Sequence, residues 1–382
     1  MRMDIHWLEF KLLDKSTNHP SRTQMIRELS RIGHRVRYFC GHRRSRPVYG
    51  LGRGVINYLG RPVRSRFGLG LLLAGLLTRV FRSLFGKGPD ILMIDYSINL
   101  AAFPILFLSR ALRKRPRIVL DVRTIPVNLR RFQLQHAVFL FSLRLARLSC
   151  HGISFITPFM RDVYRARIGL DPKRSISWTS GVDPALFDPD RYPEREGKED
   201  FILFYHGGIS LSRGIGSLIQ AVGILRARGK PVKLELIGNL VNREEIESLI
   251  DSAGGEEVCR LHAPVPHTRI PAWIKAADLP VIPLPGFFGW RVSSPIKLME
   301  YMAMGKCMVL TPIEAHRHVA GDAAWAYFSA GSSPEQLADA VEEAFQNREK
   351  LEIQGREARK LARRDFTWKA QAGKLAGFLE TV

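Results

Sequence analysis

Cysteine is scarce in this sequence. Four residues in 382, Cys40, Cys150, Cys259 and Cys307, lie far apart with no paired spacing, which excludes a disulfide framework and a thiolate zinc site and points to reduced thiols in a cytosol. Acidic residues are scarce in one half only. Residues 1–150 carry 28 Lys+Arg against 7 Asp+Glu, residues 151–382 carry 30 against 29, and nearly all of the net charge of +22 therefore belongs to the first part. Such asymmetry implies an acidic partner there: nucleic acid, anionic lipid or an anionic substrate. Zinc-finger spacing, a ribonucleoprotein aromatic motif and basic-zipper heptads are all missing, which sets nucleic acid aside. Long hydrophobic runs are missing too. The uncharged stretches 67–78, 96–109 (interrupted by Pro104) and 132–143 fall short of the roughly 20 residues that cross a bilayer, and the start "MRMDIHWLEF" has Asp4 and Glu9 where a signal peptide has an apolar segment.

What is present in the first part is basic and amphipathic. Between Arg61 and Lys87, Leu72, Leu73, Leu76, Leu77, Val80, Phe81 and Leu84 recur at helical spacing, with Arg64, Arg66, Arg79 and Arg82 among them. One reading is a helix lying on an anionic membrane without crossing it. The other is a core helix of an arginine-rich fold whose charges are solvated.

Apolar strand-like runs alternate with longer periodic segments, the pattern of parallel sheets covered on both faces. "HRVRYF", "DILMID", "RIVLDV" and "GISFIT" are strand candidates in the first half, and "FILFYH", "VKLELIG", "VCRLHA", "DLPVIPL" and "CMVLTP" in the second. The polar, proline-bearing stretch 187–200 reads as a hinge. The expected architecture is α/β, two doubly wound Rossmann-like domains facing a cleft, over residues 1–186 and 201–362, with a closing helix in 363–382 that packs back toward the first domain. Ligands of such sheets bind beyond the carboxyl ends of the strands.

Two loops in the second half carry chemistry. In "FYHGGISLSRGIGSL" a buried strand runs into Gly207 and Gly208, which let backbone approach a ligand, and Arg213 follows at a helix start. In "SSPIKLMEYMAMGK" Ser294 can cap a helix opened by Pro295, with Ile296 next, and Gly305 can end it. Glu300 then lies mid-helix among Leu298, Met299 and Met302, and a buried carboxylate needs donors that the segment does not supply. Lys297 places a cation at the helix start, where the dipole favours an anion. Either Lys297 and Glu300 form an ordinary surface pair, or a ligand brings a diphosphate to Arg213 and Lys297 and hydroxyl donors to Glu300.

The chain resembles the family 4 retaining glycosyltransferases of the GT-B fold through most of residues 178–382. "SGVDPALFDP", the Gly207–Gly208 loop, "LIGN", "IPAWIKAADLPVIPL", "SPIKLMEYMAMGK" and "AGDAAWAYF" follow in the family's order, and "FTWKAQAGKLAGFL" is similar to its closing segment. The resemblance implies that Glu300 binds ribose hydroxyls and that Arg213, Lys297 and the Ser294–Pro295–Ile296 loop face the diphosphate. It implies too that Val265 and Pro266 frame the base. Three positions depart from the family. Val292 stands where its first motif glutamate would fall, Gly208 stands where many members have arginine, and Asp121 and Arg123 lie nearest the place of its catalytic histidine. The short "DKSTNHPSR" loop lacks the usual glycine pair.

The resemblance implies transfer of a sugar from a nucleoside diphosphate sugar, with retention and without a metal or other cofactor, and no Asp-any-Asp pair stands at a strand end. Arg213 and Lys297 would stabilise the leaving diphosphate, with Asp121 and Arg123 the catalytic candidates of the first domain. The expected acceptor is lipid-linked or a glycan in cell-envelope synthesis, reached by a cytoplasmic protein peripheral on the inner face of the membrane. A sugar-nucleotide 2-epimerase of the same fold and a non-catalytic membrane-surface adaptor are the alternatives.

Overall fold

The computed structural model describes residues 2–15, 19–46, 49–112, 115–125, 132–195 and 199–382. The chain divides into two compact units, one formed by Met1–Ser180 with Trp368–Val382 and the other by Gly181–Thr367. In the first, strands and helices alternate as β1 (Asp4–Leu12), α1 (His19–Arg31), β2 (Arg35–Gly41), β3 (Ile56–Tyr58), α2 (Arg66–Phe85), β4 (Ile91–Ile94), α3 (Tyr96–Ala111), β5 (Arg117–Val122), α4 (Phe132–Ser149), β6 (Gly152–Phe155), α5 (Pro158–Ile168) and β7 (Ser175–Ser177). In the second the order is β8 (Phe201–His206), α6 (Ile215–Ala227), β9 (Val232–Ile237), α7 (Arg243–Ser252), β10 (Cys259–His262), α8 (Ile270–Ala276), β11 (Leu279–Ile282), α9 (Phe288–Arg291) and α10 (Ile296–Ala303). It closes with β12 (Met308–Leu310), α11 (Glu314–Ala320), β13 (Ala326–Phe328), α12 (Pro334–Gln346) and α13 (Leu351–Asp365). The last helix, α14 (Trp368–Thr381), returns to the first unit.

Each unit is built on one parallel sheet, ordered β3-β2-β1-β4-β5-β6-β7 in the first and β10-β9-β8-β11-β12-β13 in the second. The chain starts at β1 and β8 inside each sheet and winds outward to both sides, the doubly wound arrangement expected from the alternating pattern. All nine strand candidates are strands. The runs that read as continuously apolar, such as Ile91–Ile94 and Leu279–Ile282, are buried throughout, because helices cover both faces of a parallel sheet.

The boundaries fall elsewhere than the composition placed them. The chain crosses between units at Ser180–Gly181 and Thr367–Trp368, whereas residues 187–200 had the look of a hinge. Phe187 is buried in the second core, Arg359 donates to Asp188 Oδ1 at 2.5 Å and Asp190 Oδ2 at 2.9 Å, and Arg195 reaches Asp278 Oδ2 at 3.0 Å. Prolines and charges mark a surface path, and ion pairs can hold such a path to one unit; residues 196–198 lie outside the described residues. After α13 the helix α14 buries Trp368, Leu375 and Phe378 in the first core, and Gln371 Oε1 accepts the Thr179 N–H at 2.8 Å.

A buried ion network fastens the first unit. Glu9 on β1 accepts from Arg22 of α1 through Nε at 2.8 Å and Nη2 at 2.5 Å and from the Tyr38 hydroxyl of β2 at 2.5 Å, while Arg22 Nη1 lies 2.9 Å from Asp121 Oδ2 on β5. Burial works against the Glu9 charge, and the Arg22 cation and its hydrogen bonds outweigh it, holding the carboxyl below its ordinary range. Removing one partner of such a network strands the others, at about 3–5 kcal/mol. Arg22→Met should therefore lower the stability of the first unit by about that amount in urea unfolding; a loss under about 1 kcal/mol would mean that solvent reaches the network.

Candidate functional site

The carboxyl ends of β8 and β11 and the start of α10 bring the second unit's candidates together. Gly207 follows β8 at φ +115°, a conformation that side chains rarely adopt, and a Cβ there would lie 3.2 Å from Lys297 Nζ. A Cβ on Gly208 would lie 3.1 Å from Arg213 Nε. The two cations thus flank the Gly207–Gly208 backbone, and bare glycine leaves them room. Arg213 sits in a short turn ahead of α6, which begins only at Ile215 after left-handed Gly214. Its guanidinium lies over the Trp290 ring, 4.7 Å from the centroid. Lys297 is 9% exposed, with Nζ over the Tyr205 ring at 4.4 Å and 3.3 Å from the Tyr205 hydroxyl. Among the described residues neither cation pairs with a carboxylate. A buried ammonium facing a ring and a hydroxyl lacks a counter-charge, and an anion would supply it.

The ordinary Lys297–Glu300 surface pair is therefore not what forms. Glu300 is 2% exposed, and its carboxylate is taken by two histidines: His206 Nε2 donates to Oε2 at 2.8 Å and His267 Nε2 to Oε1 at 2.6 Å. Burial raises the carboxyl pKa, but the hydrogen bonds from His206 and His267 overcome it and bring it down to about 2. The histidines respond in opposite senses. Burial dominates at His206 and lowers its pKa; at His267 the hydrogen bond and charge of Glu300, with Asp183, outweigh burial and raise it. His206 is accordingly neutral, with its second nitrogen 3.0 Å from the Tyr301 hydroxyl.

The helix start also differs from its expected form. Pro295 is the residue before the helix and Ile296 its first residue, so the capping position falls on Pro295 and not on Ser294, and extended backbone at Pro295 lets the loop run straight into α10. Gly305 ends the helix as expected, at φ +67°. Val265 and Pro266 lie in the loop after β10, immediately before His267, and Val265 packs against the second core. Val292, in the place of a first glutamate, is 2% exposed.

In the first unit Asp121 and Arg123 stand at the end of β5, inside the network around Arg22. Ser154 Oγ donates to Asp121 Oδ1 at 2.5 Å, and with Arg22 on Oδ2 both oxygens are engaged. Arg123 donates to the Trp178 carbonyl and stacks on the Trp178 ring at 3.2 Å, leaving Nε and Nη2 with no hydrogen-bond partner. Burial brings its pKa down to about 9 despite the Asp121 charge. The loop beyond it, 126–131, and residues 16–18 of the "DKSTNHPSR" loop lie outside the described residues.

Sequence reading missed four members of the second unit's site: Tyr205, His206, His267 and Trp290. His206 ends a strand that reads as pure core, and His267 meets Glu300 only across 33 residues. The available signal was the unmet donor requirement of Glu300, which called for partners without naming them. A fifth residue adjoins them. His316 on α11 is fully buried, donates from Nδ1 to the Thr311 carbonyl at 2.8 Å, and is held down to about 4 by burial and the Lys297 charge.

Comparison with known proteins finds relatives across both units. The family model described as "Glycosyl transferases group 1" matches residues 187–361, and that described as "Glycosyltransferase Family 4" matches residues 23–186. A D-inositol 3-phosphate glycosyltransferase of Paenarthrobacter aurescens is 26% identical over 236 residues, 59% of this chain and 56% of that protein. An alpha-D-kanosaminyltransferase of Streptomyces kanamyceticus is 24% identical over 190 residues, 50% of this chain and 48% of that protein. The chain thus spans about half the length of the curated relatives it matches. A sucrose-phosphate synthase structure from Thermosynechococcus elongatus superposes with a TM-score of 0.78 at 13% identity, covering 99% of this chain and 98% of that one. With these matches over both units, the chain belongs to the family 4 glycosyltransferases and has the GT-B fold.

Proposed function

We propose that the protein transfers a sugar from a nucleoside diphosphate sugar, with retention and without a metal, to a lipid-linked or glycan acceptor of the cell envelope at the cytoplasmic face of a membrane. The observation that carries the donor part is the pair of cations beside Gly207–Gly208 with no carboxylate partner among the described residues. A diphosphate laid against that backbone would meet Arg213, Lys297 and the free N–H groups at the start of α10. These donors are fixed before the reaction and act on charge that grows as the glycosidic bond breaks, so they favour the transition state over bound substrate. Glu300 would take ribose hydroxyls, the Val265–Pro266 loop would border the base, and Ser294–Pro295–Ile296 would line the diphosphate. A solved structure of Anabaena HepE, 14% identical with a TM-score of 0.75 over 100% of both chains, holds UDP, which agrees with a nucleotide site on this fold. To the acceptor side we assign Arg123, through its unpartnered Nε and Nη2, with Asp121 fixing the surrounding network.

The membrane part rests on the surface of α2, α3 and α4. Along α2, Leu72, Leu76, Val80 and Leu84 are buried, while Phe67, Leu71 and Phe81 are 76%, 57% and 53% exposed. The helix has the length and composition to cross a membrane, with only 28% of its apolar window buried, yet one stripe of it belongs to the first core. Phe107 and Leu108 on α3 and Leu134 and Phe141 on α4 extend the exposed apolar surface, and α3 packs against both α2 and α4. Three neighbouring helices with uncovered apolar residues on a strongly basic half suit an anionic bilayer.

Two outcomes test this reading. Lys297→Ala and Arg213→Ala should each lower turnover of the donor about 100-fold while leaving affinity for the bare nucleoside within about threefold; equal losses in both would make these residues structural. On vesicles, the protein should co-sediment with anionic but not zwitterionic lipid, less so at high salt. Phe67→Ser combined with Arg82→Glu should release it, since each basic residue at such a surface contributes about 1 kcal/mol. Arg79 is unsuitable for that test because its guanidinium stacks on Phe39 at 4.4 Å. Wild-type protein left in the supernatant with both lipids would remove the membrane from the proposal.

A further inference from the structure

Both oxygens of Glu300 are occupied, and the two occupants differ in how firmly they are held. His206 is buried at the end of β8, and its second ring nitrogen is held by Tyr301. His267 lies on the loop after β10 with its side chain 53% exposed, 2.6 Å from Oε1, and its ring meets Phe187 at 5.2 Å. Glu300 cannot go without donors, because an unmet buried carboxylate is costly. Each oxygen keeps a second lone pair, but the carboxylate is only 2% exposed, so a ligand reaches it only where one of its partners gives way. His267 is the partner with somewhere to go.

We infer that His267 occupies the ribose position of Glu300 in the free protein, and that a nucleoside diphosphate exchanges this imidazole for its ribose hydroxyls. The inference rests on the ribose role proposed above for Glu300. A ribose diol brings two O–H donors, so the carboxylate stays satisfied throughout and the imidazole moves to solvent. The exchange is coupled to a proton. In the free protein His267 faces Glu300 on α10 and Asp183, which favour its charged form against burial, and His206 lies beyond the same carboxylate. Lys297, one turn earlier on α10, acts on His206. Once Glu300 has turned to ribose, the imidazolium loses its principal counter-charge, and its pKa falls back toward the ordinary value.

The sign follows from linkage. The free protein binds more protons than the nucleotide complex between the ordinary and the raised imidazole values. Nucleotide affinity therefore rises with pH through that window and is level above it.

Titration calorimetry with UDP and with GDP, in buffers of different ionisation enthalpy between pH 6 and 8, reads the proton directly. Wild-type protein should release up to about one proton more per nucleotide than His267→Ala, with affinity changing at most about tenfold per pH unit. His267→Ala should bind about three- to tenfold more tightly than wild type at pH 6, because nothing has to be displaced. His267→Gln keeps a neutral donor on Glu300 and should release no extra proton, and the matching 2′,3′-dideoxynucleotide should release none with wild type. Equal proton release by wild type and both variants overturns the inference. The Glu300→Gln variant separates that failure from the other: if it binds nucleotide about tenfold more weakly, the ribose role stands and only the exchange is lost. If it binds as wild type does, the ribose role itself is wrong and the inference falls with it.

Discussion

A single buried carboxylate organises the second unit's site. Glu300 stands on α10 almost wholly buried, and the fold supplies donors from two other segments, the end of β8 through His206 and the loop after β10 through His267. The helix α10 itself carries Lys297, whose ammonium lies against Tyr205 and Gly207 at the end of β8. A charge that must be satisfied thus fixes the relative positions of three chain segments more tightly than apolar packing, which is non-directional. Tyr301 extends the constraint inward. Its hydroxyl meets both the backbone N–H of His206, at 3.2 Å, and the His206 ring, so the imidazole has one orientation available.

The cations obey a complementary logic. Arg213 and Lys297 are held by aromatic faces, Trp290 and Tyr205, and lie beside backbone from which side chains are absent. An aromatic face stabilises a cation without neutralising it. The two therefore keep their charge available at one place, where a carboxylate partner would have cancelled it. The Arg213 Nε would come within 3.1 Å of a Cβ on Gly208, so bare backbone there leaves room for a cation from another part of the loop.

The first unit spends its buried charge differently. Glu9, Arg22 and Asp121 join β1, α1 and β5 in a network closed on itself, with Tyr38 and Ser154 as added donors. Beside it Arg123, stacked on Trp178, keeps Nε and Nη2 without a hydrogen-bond partner. The positive charge that distinguishes this half lies mainly elsewhere, around helices whose apolar residues are divided between core and solvent. Helix α2 shows the division within one element, one stripe packed against the sheet and the remainder uncovered.

The sequence by itself determined the fold class, because parallel sheets covered on both faces leave apolar runs separated by helical periods. It also placed Gly207–Gly208 at a strand end and Lys297 at a helix start, where the structure has them. It did not reveal β1, an interior strand of the first sheet, since His6, Glu9 and Lys11 break its apolar run and Glu9 is matched by Arg22 thirteen residues later. It returned the closing helix to the first unit but set the crossings at 187–200 and 363, whereas they fall at Ser180–Gly181 and Thr367–Trp368: composition reports exposure, whereas a unit boundary depends on which core claims each segment. The partners of Glu300 were beyond local reading for the same reason. Hydrophobic periodicity is a property of neighbouring residues, but the donors of a buried charge arrive from 94 and 33 positions away, and only the completed sheet brings them to it.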